Sequence, residues 1–384
     1  MDYLRRTLLK SISALAGSSI LPLEGQSQPE IDTAESLINA PDDLSEMINL
    51  FDFEKGAEGK MTKMAYEYVA SGAADEFTVR WNRQALDGIK LNPTVLKDVS
   101  KLDTRISLFG QELPYPILIA PTAFHRLMHA EGELATARGA GAASATYVVS
   151  SFTTTPLEEI AKVATQPLWF QLYVRDDREF TKDLVQKVQS LGCRALCITV
   201  DTPVAGVRNR QQRVNFQLPA DMNSPYMLGW GAQRKPVTWA DIEWLKSFSK
   251  IPVLLKGILN PDDAEYAVQA GVSGIIVSNH SGRNLDTVPA TIEVLPAIAE
   301  RVNKRIPILM DGGIRRGTDV LKAIALGANA VLVGKPICFA LAYGGEEGVT
   351  KAMNILRTEL ELAMALTGRA TIASIDRSVI WKIS

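Results

Sequence analysis

The residues of this sequence that are best suited to chemistry follow short apolar runs, each directly after its run ends. Such polar or ionisable endings are Gln171-Leu172-Tyr173, Thr199-Val200-Asp201, Lys256, Ser278-Asn279-His280 and Asp311-Gly312-Gly313. One ending of this kind could simply start a loop, whereas five together predict a shared site. His280 is the strongest candidate for a general base, because imidazole titrates near neutral pH and the chain has only three histidines.

Two glycine-containing loops predict a phosphate site. Asp311–Gly317 holds two adjacent glycines and Arg315, and Gly334-Lys335-Pro336 follows a later apolar run. Glycines let backbone N–H groups approach a phosphate, and a following helix N-terminus adds partial positive charge. A lone Gly-Gly pair would indicate only a tight turn. Two such loops after the last two predicted strands indicate a phosphorylated cofactor or substrate, neutralised by Arg315 and Lys335.

The elements that must position these residues are eight apolar runs, which alternate with amphipathic segments as repeated βα units do. The runs lack the strict alternation of half-buried strands, so they predict parallel strands buried on both faces. They are Pro116–Ala120, Tyr147–Ser150, Leu168–Tyr173, Ala195–Asp201, Pro252–Lys256, Gly274–Ser278, Pro307–Asp311 and Ala330–Gly334. They predict a closed (β/α)8 TIM barrel, whose C-terminal strand ends carry the active site.

The other segments complete this architecture. Glu131–Ala143, Pro261–Ala270 and Gly317–Leu326 are predicted outer helices, and Asn260 with Pro261 forms an N-cap and first-turn proline. We predict an N-terminal helical extension over residues 31–110, the barrel over 111–370 and a C-terminal tail over 371–384. The long proline- and glycine-containing segment 211–239 is predicted to form a lid over the barrel mouth. The alternative is an ordinary surface loop.

Composition excludes several classes of function. With 41 basic and 43 acidic residues, the chain has no overall field that would attract nucleic acid or an anionic membrane. Cys193 and Cys197 lie in an apolar run and are interpreted as packing residues, and with Cys338 they are too few for a disulfide framework. His125 and His129 are four residues apart, but no third ligand accompanies them, so no metal site is predicted.

Residues 1–30 differ from the rest of the chain. Arg5-Arg6 precedes the moderately apolar stretch Ser11–Leu23 and a polar exit, which is the order typical of an export signal. The arginine pair resembles a twin-arginine signal and predicts a periplasmic or exported enzyme. The alternative is a basic amphipathic tail on a cytoplasmic enzyme. The apolar part is shorter than the ~20 residues needed to span a bilayer.

Several runs of the sequence resemble one known family. Val277–Asp286 and Asp311–Val320 are similar to runs of the FMN-dependent 2-hydroxy acid oxidases and dehydrogenases, which include glycolate oxidase, lactate oxidase and mandelate dehydrogenase. Shorter matches are Tyr66-Glu67-Tyr68, Ser71-Gly72-Ala73, Ala120–Ala123, Gln171-Leu172-Tyr173, Thr199–Pro203 and Leu255-Lys256-Gly257. The resemblance covers about residues 50 to 370. It implies an FMN enzyme that oxidises a small (S)-2-hydroxy acid to the 2-oxo acid, reoxidation by oxygen or a respiratory acceptor, and a homo-tetramer.

The same resemblance implies catalytic and substrate-binding roles. His280 would take a proton from the substrate, and Asp201 would orient its ring. Contacts to the substrate carboxylate, hydroxyl and side chain are implied for Tyr68, Phe152, Tyr173, Arg208 and Arg283, and a part in catalysis is implied for both tyrosines. The two arginines would bind the carboxylate through charge-assisted hydrogen bonds. If the register differs, Arg210 or Arg213 would replace Arg208.

For the cofactor, the resemblance implies a longer set of contacts. FMN contacts are implied for Pro121, Thr122, Ala123, Ser150, Gln171, Thr199, Lys256, Ser278, Asp311, Gly313, Arg315, Gly334 and Lys335. Among these, Lys256 would stabilise the negative charge that grows on the flavin on reduction. Arg315 and Lys335 would hold the ribityl phosphate.

Two residues depart from the plant glycolate oxidase pattern. Phe152 stands where that enzyme carries tryptophan, which removes an indole N–H donor from the substrate pocket. Lys335 stands where arginine is usual, and an ammonium group cannot form the two parallel hydrogen bonds that a guanidinium makes to a phosphate. The lid is also shorter, so the sequence does not predict the substrate's size. Two other functions remain open: an FMN-dependent isomerase of isopentenyl diphosphate and a flavin-binding protein without turnover.

Overall fold

The structure is a computed structural model that describes residues 43–227 and 235–381. The predicted export signal, residues 1–30, lies outside the described residues, and so does part of the predicted lid. The described helices are α1 (Leu50–Glu58), α2 (Lys63–Ala70), α3 (Phe77–Gly88), α4 (Gly132–Ala142), α5 (Leu157–Val163), α6 (Arg178–Ser190), α7 (Asn209–Arg213), α8 (Trp239–Phe248), α9 (Pro261–Gln269), α10 (Thr291–Val302), α11 (Gly317–Ala325) and α12 (Lys335–Leu366).

Eight parallel strands close into a barrel, which confirms the predicted fold. The described strands are β1 (Ile106–Leu108), β2 (Gln111–Leu113), β3 (Ile117–Ile119), β4 (Tyr147–Ser150), β5 (Leu168–Leu172), β6 (Leu196–Thr199), β7 (Val253–Ile258), β8 (Gly274–Val277), β9 (Ile308–Met310) and β10 (Ala330–Val333). Strands β3 to β10 pair in sequence order, and β10 pairs with β3 to close the ring. Side chains on both faces of these strands are buried, which explains why the runs are apolar without alternation.

The predicted helices form between the strands for local reasons. Helix α9 begins where expected, because the Asn260 side chain accepts a hydrogen bond from the Asp262 amide and Pro261 occupies the first turn. Helix α12 is much longer than a usual barrel helix, and its backbone breaks at Gly344 and Gly345. None of the helices within the described ranges is both long and apolar enough to cross a membrane.

A short antiparallel hairpin of β1 and β2 precedes the barrel and was not predicted. The Trp169 indole inside the barrel donates to Gln111 at 3.1 Å, and Phe109 in the turn packs against the same indole. A side chain on Gly274, the first residue of β8, would collide with the Phe109 ring. The hairpin therefore closes the barrel at the N-terminal ends of its strands, opposite the ends that carry the polar residues.

The N-terminal extension and the segment after β6 pack together above the barrel mouth. Arg210 on α7 forms an ion pair with Glu67 on α2, and Asn209 donates to the Ala74 carbonyl. The Phe216 ring stacks on Tyr68 with centroids 4.8 Å apart. The start of the predicted lid is therefore fixed to the extension.

The C-terminal residues return to the same part of the molecule. Isolated bridges pair Thr371 with Asp103 and Ile380 with Leu91. Residues 371–381 thus pack back on the segment that links α3 to the hairpin.

Candidate active site

A cavity of about 510 Å³ lies at the C-terminal ends of the barrel strands. The predicted site residues on its wall are Tyr68, Pro121, Thr122, Ala123, Ser150, Phe152, Gln171, Tyr173, Thr199, Arg208, Lys256, His280, Arg283, Asp311, Gly313, Arg315, Gly334 and Lys335. Two others, Asp201 and Ser278, are absent from the wall and contact residues that form it. The strand-end pattern therefore brings the predicted residues to one place.

His280 and Asp201 form a hydrogen-bonded pair at this cavity. The His280 Nδ1 atom lies 3.0 and 3.2 Å from the two Asp201 carboxylate oxygens. Burial alone would raise the pKa of Asp201, but His280 and Lys256 hold that pKa below its ordinary value. Asp201 therefore remains a carboxylate that orients the ring. With Nδ1 engaged, Nε2 is the ring nitrogen left for proton exchange.

A tight turn directly after β8 carries His280. His280 and Ser281 both have left-handed backbone angles, with φ of 54° and 57°. The His280 amide donates to the Ser278 hydroxyl at 3.1 Å. Position 282, directly after Ser281, requires glycine. Gly282 has φ of 69°, and a Cβ there would lie 2.9 Å from the Val79 amide nitrogen.

Lys256 supplies a buried positive charge on the wall of the cavity. Its Nζ atom lies 3.1 Å from Asp311 Oδ2 and donates to the Ser278 hydroxyl at 2.9 Å. Burial alone would lower the pKa of Lys256, but Asp311 and Asp201 together raise it above its ordinary value. The lysine is therefore a fixed cation. Ser278 holds both Lys256 and the His280 backbone from behind the wall.

Two arginines form the positively charged end of the cavity. The Arg283 Nη1 atom donates to the Tyr68 and Ser71 carbonyls at 2.6 and 2.9 Å. Burial, followed by the charge of Arg208, lowers the pKa of Arg283 to about 10. Within the described ranges no carboxylate forms an ion pair with Arg283 or Arg208. Two neighbouring cations without a counter-ion are suited to an anionic ligand such as a carboxylate.

The three arginines that the sequence offered for the carboxylate differ in their surroundings. Arg208 lines the cavity. Arg210 is paired with Glu67 and Glu76, and Arg213 is an exposed residue. Arg208 is therefore the one placed to reach a ligand.

A chain of aromatic rings forms the remaining wall. Tyr68 contacts Phe124 and Phe216 at centroid distances of 5.7 and 4.8 Å. Phe152 contacts Phe124 at 5.5 Å and Tyr173 at 5.4 Å. Burial raises the pKa of Tyr173 to about 12, so its hydroxyl stays protonated at neutral pH. This wall is largely apolar and carries the hydroxyls of Tyr68 and Tyr173.

The two glycine loops form the predicted cradle on the opposite side. Gly312 and Gly313 have φ of 97° and 80°, and a Cβ on Gly313 would lie 2.4 Å from the Asn82 carbonyl oxygen. Gly334 directly precedes the N-terminus of α12. The half-buried Arg315 and the buried Lys335 face this cradle. Burial lowers the pKa of Arg315, and burial together with Arg283 and Arg315 lowers the pKa of Lys335 to about 7. A bound phosphate dianion would stabilise the charged forms of both side chains and so offset the effect of burial on them.

The residues present fit the flavin mononucleotide that the sequence resemblance implies. Asp311 Oδ1 is buried and has no hydrogen-bond partner, so it can accept from a ligand hydroxyl. Gln171 accepts from Ser150 at 3.1 Å and donates to Thr199 at 2.9 Å, which presents a fixed row of polar side chains along three strand ends. The cradle would hold the phosphate, and the row of polar side chains together with Lys256 would hold the flavin ring.

Several residues that the sequence patterns did not mark also support the site. The fully buried Glu133 accepts from the Thr154 amide and hydroxyl at 2.8 and 2.6 Å, from the Thr155 hydroxyl and from the His125 amide. It therefore ties the loop after β3 to the loop after β4, which carry Phe124 and Phe152. In the sequence it resembles an ordinary first-turn acid of α4. Asn82 and Arg83 on α3 were also missed.

His125 has a structural environment. Its Nδ1 and Nε2 atoms bond to the Thr136 and Thr122 hydroxyls at 2.8 and 2.5 Å. Across the part of the chain that the structure describes, no group of three or more histidine, cysteine, aspartate or glutamate residues is arranged to hold a metal ion. Cys193 and Cys197 are buried and free, in agreement with a packing role.

Comparison with known proteins places these features in a wider group. Residues 57–382 match the family model described as FMN-dependent dehydrogenase. The chain is 44% identical to a 2-hydroxyacid oxidase of Dictyostelium discoideum, covering 88% of this chain and 91% of that protein. It is also 44% identical to an L-lactate oxidase of a Nostoc species, covering 87% and 98%. A solved mandelate oxidase with (S)-mandelic acid is similar in structure, with a TM-score of 0.83, 38% identity and coverage of 88% and 99%.

Proposed function

The chain belongs to the FMN-dependent dehydrogenase family, and from this premise we propose that it oxidises a small (S)-2-hydroxy acid with His280 as the base. As a member of this family it is an FMN-dependent oxidoreductase that converts 2-hydroxy acids to 2-oxo acids. The observation that carries the proposal is the convergence in a single cavity of one oriented imidazole and two arginines that have no carboxylate partner among the described residues. A base beside a carboxylate site suits an alcohol next to a carboxyl group.

Different residues of the chain bind the substrate, orient it and accept its proton. Arg283 and Arg208 bind the substrate carboxylate and fix the adjacent carbon. Tyr173 and Tyr68 orient the substrate on the same wall. His280 Nε2 accepts the proton that leaves the substrate, and Asp201 stabilises the imidazolium that results. Without the 3.0 Å contact between His280 and Asp201, the ring could rotate away from the substrate.

FMN, when bound, supplies the two-electron acceptor that this oxidation requires. Lys256, with its pKa raised by Asp311 and Asp201 against the effect of burial, provides the fixed positive charge that favours an electron-rich ring. Arg315, Lys335 and the amides of the glycine loops bind the phosphate. The aromatic wall excludes water from the substrate, which strengthens these charge interactions.

The reaction is tested by adding L-lactate or glycolate to the purified yellow protein without oxygen. We expect the flavin absorbance to bleach, because the substrate's electrons have no other acceptor. D-lactate serves as the matched control and should bleach it far more slowly. If FMN is bound but no 2-hydroxy acid bleaches it, the proposed oxidation is wrong. The protein would then be an isomerase or a non-catalytic flavoprotein.

The relatives named above as oxidases support oxygen as the acceptor. Admitting air to the bleached protein should restore the yellow colour and release hydrogen peroxide. Slow recolouring in air with fast recolouring by a quinone analogue would instead favour a respiratory acceptor.

FMN affinity should fall as pH rises above about 7, because burial lowers the pKa of Lys335 to about 7. The phosphate dianion favours the ammonium form, so binding raises this pKa and takes up a proton. Below the lower pKa the lysine is already charged and its contribution is fully present. Above it, Kd should rise by up to about tenfold per pH unit until the pKa of the complex is reached. Fluorescence titration of the apoprotein with FMN measures this.

Lys335→Arg is the matched variant for this prediction. Arginine remains protonated throughout the range, so the variant should bind FMN with little dependence on pH between about 7 and 9. An equal pH dependence in both proteins would show that another group takes up the proton.

A further inference from the structure

Helix α3 of the N-terminal extension presents a buried face with two polar residues to the barrel mouth. Thr78, Asn82 and Leu86 recur at intervals of four residues and are the buried residues of this helix. Thr78 exchanges hydrogen bonds with Val288. Asn82 lies between the loop after β8, which carries His280, and the glycine loop after β9. The extension therefore reaches both halves of the site.

The Asn82 side chain forms a reciprocal amide pair with Asn279, the residue directly before His280. Asn82 Nδ2 donates to Asn279 Oδ1 at 3.0 Å, and Asn279 Nδ2 donates to Asn82 Oδ1 at 2.8 Å. Asn279 Nδ2 also reaches the Pro289 carbonyl at 3.2 Å. Both asparagines are buried, so neither amide could exchange its partner for bulk water without opening the structure.

The loop after β8, which this amide pair holds, has a backbone conformation of high free energy. His280 and Ser281 occupy left-handed backbone conformations that residues with a Cβ adopt only when the surroundings impose them. Several contacts impose this turn: the Ser278 hydroxyl on the His280 amide, the Asn279 carbonyl on the Gly282 amide, and the amide pair with Asn82. The amide pair reaches the turn from outside the β8 loop, and so does the Ala73 amide, which donates to the Gly282 carbonyl at 2.7 Å.

We propose that Asn82 is a positioning residue for His280, which acts through Asn279 to hold the imidazole at Asp201 and toward the substrate. The inference rests on the proposed function of His280. Asn82 does not touch the substrate space: it is not among the residues that line the cavity. Its effect is therefore on the rate of proton transfer rather than on substrate binding.

The neighbouring residue Arg83 holds the other loop. Its Nη1 donates to the Gly313 carbonyl at 2.7 Å, and its guanidinium binds both oxygens of the buried Asp319. Asp319 in turn accepts from the Arg315 and Arg316 amides at 2.9 Å. Adjacent side chains of one helix thus make different contacts: Asn82 bonds to Asn279 and accepts from the Thr291 amide at 3.3 Å, whereas Arg83 bonds to the glycine loop. This division makes the proposal testable.

The test compares Asn82→Ala and Asn82→Asp with wild type in FMN-loaded, full-length protein. The alanine variant should lower the limiting rate of anaerobic flavin reduction on the order of 10²-fold, as small misplacements of a reacting group do, with the substrate's apparent Kd and the FMN Kd little changed. The aspartate variant should retain most of the rate at the lowest pH where wild type works, since a protonated carboxyl still donates to Asn279. It should lose rate relative to wild type as pH rises.

A second measurement does not depend on turnover. The chain has only three histidines, so NMR of labelled imidazoles can follow each ring in the loaded protein. Asn82→Ala should move the His280 resonances and leave those of His125 and His129 in place. Asn92→Ala removes a surface amide that donates to the Ser378 carbonyl and serves as the control, with no expected change. Arg83→Gln should instead raise the FMN Kd.

Three results would overturn the proposal: wild-type reduction in Asn82→Ala, unmoved His280 resonances, or an aspartate variant as slow as the alanine variant at low pH. If Asn82→Ala does not fold, Asn279→Ala removes the same pair from the loop side and carries the same expectations. A wild-type protein that no 2-hydroxy acid reduces would defeat the proposed function, and the imidazole resonances would still decide whether Asn82 positions His280.

Discussion

Replacing His280 with alanine should leave a yellow protein that binds FMN and is reduced by substrate about 10²- to 10⁴-fold more slowly, the range expected for loss of a general base. FMN should remain bound because the residues that face the phosphate, Arg315 and Lys335, belong to other loops. Asp201 cannot take over this role directly, because its carboxylate bonds to Nδ1 on the other side of the ring from Nε2. Stopped-flow reduction under anaerobic conditions measures the loss.

The controls for this variant use the chain's other histidines and a polar replacement. His129→Gln changes a histidine whose side chain accepts from the Glu131 amide at 3.3 Å and does not line the cavity, and the variant should be reduced at the wild-type rate. His280→Asn guards against a purely structural effect, because it keeps a polar group near the buried Asp201 carboxylate. If both His280 variants were reduced nearly as fast as wild type, another residue would be the base.

The barrel could be predicted because its strands are buried on both faces, which leaves continuous apolar runs of Val, Ile and Leu. The hairpin of β1 and β2 was missed for the opposite reason. Each of its strands has three residues, too few to show a period, and the Phe109-Gly110 turn has no strong hairpin signal in the sequence. The hairpin is stable because Phe109 and Gln111 pack on Trp169, a contact with a strand about 60 residues away.

The site could be predicted where function follows position along a strand. His280 and Lys256 end apolar runs, and a closed barrel brings all such ends to one face. Asn82 and Glu133 could not be found in this way. Each acts through hydrogen bonds to a loop on another element, and the Asn82–Asn279 pair spans 197 residues of sequence. Such pairs follow from how an extension docks on the barrel, which periodicity does not encode.

The aromatic wall likewise contains a residue that the sequence patterns did not reveal. Phe152 was identified from its position in the sequence, but its partner Phe124 was not, although the two rings are 5.5 Å apart. Phe124 has a left-handed backbone with φ of 58°, and its amide donates to the Phe152 carbonyl at 3.0 Å. The Glu133 hydrogen bonds fix both loops. The shape of the substrate pocket is therefore set by contacts between loops.

Replacing Arg283 with methionine should weaken substrate binding by about 2–5 kcal/mol, the usual cost of losing one member of a buried charge pair, or roughly 30- to 4000-fold in Kd. Burial and Arg208 lower the pKa of Arg283 to about 10, so the guanidinium stays charged at every pH where a histidine base operates. The concentration dependence of anaerobic flavin reduction gives the Kd and the limiting rate separately.

Arg283→Lys separates the carboxylate contact from the structural one. The Arg283 Nη1 atom also holds the Tyr68 and Ser71 carbonyls, so methionine removes both roles, whereas lysine keeps a charge and can bond only as a point donor. Lysine should therefore recover part of the affinity. Arg105→Met, at an exposed ion pair with Asp103, should change nothing. A wild-type Kd in Arg283→Met with a large loss in Arg208→Met would assign the carboxylate to Arg208 alone, because these are the two arginines beside the aromatic wall that lack a carboxylate partner among the described residues.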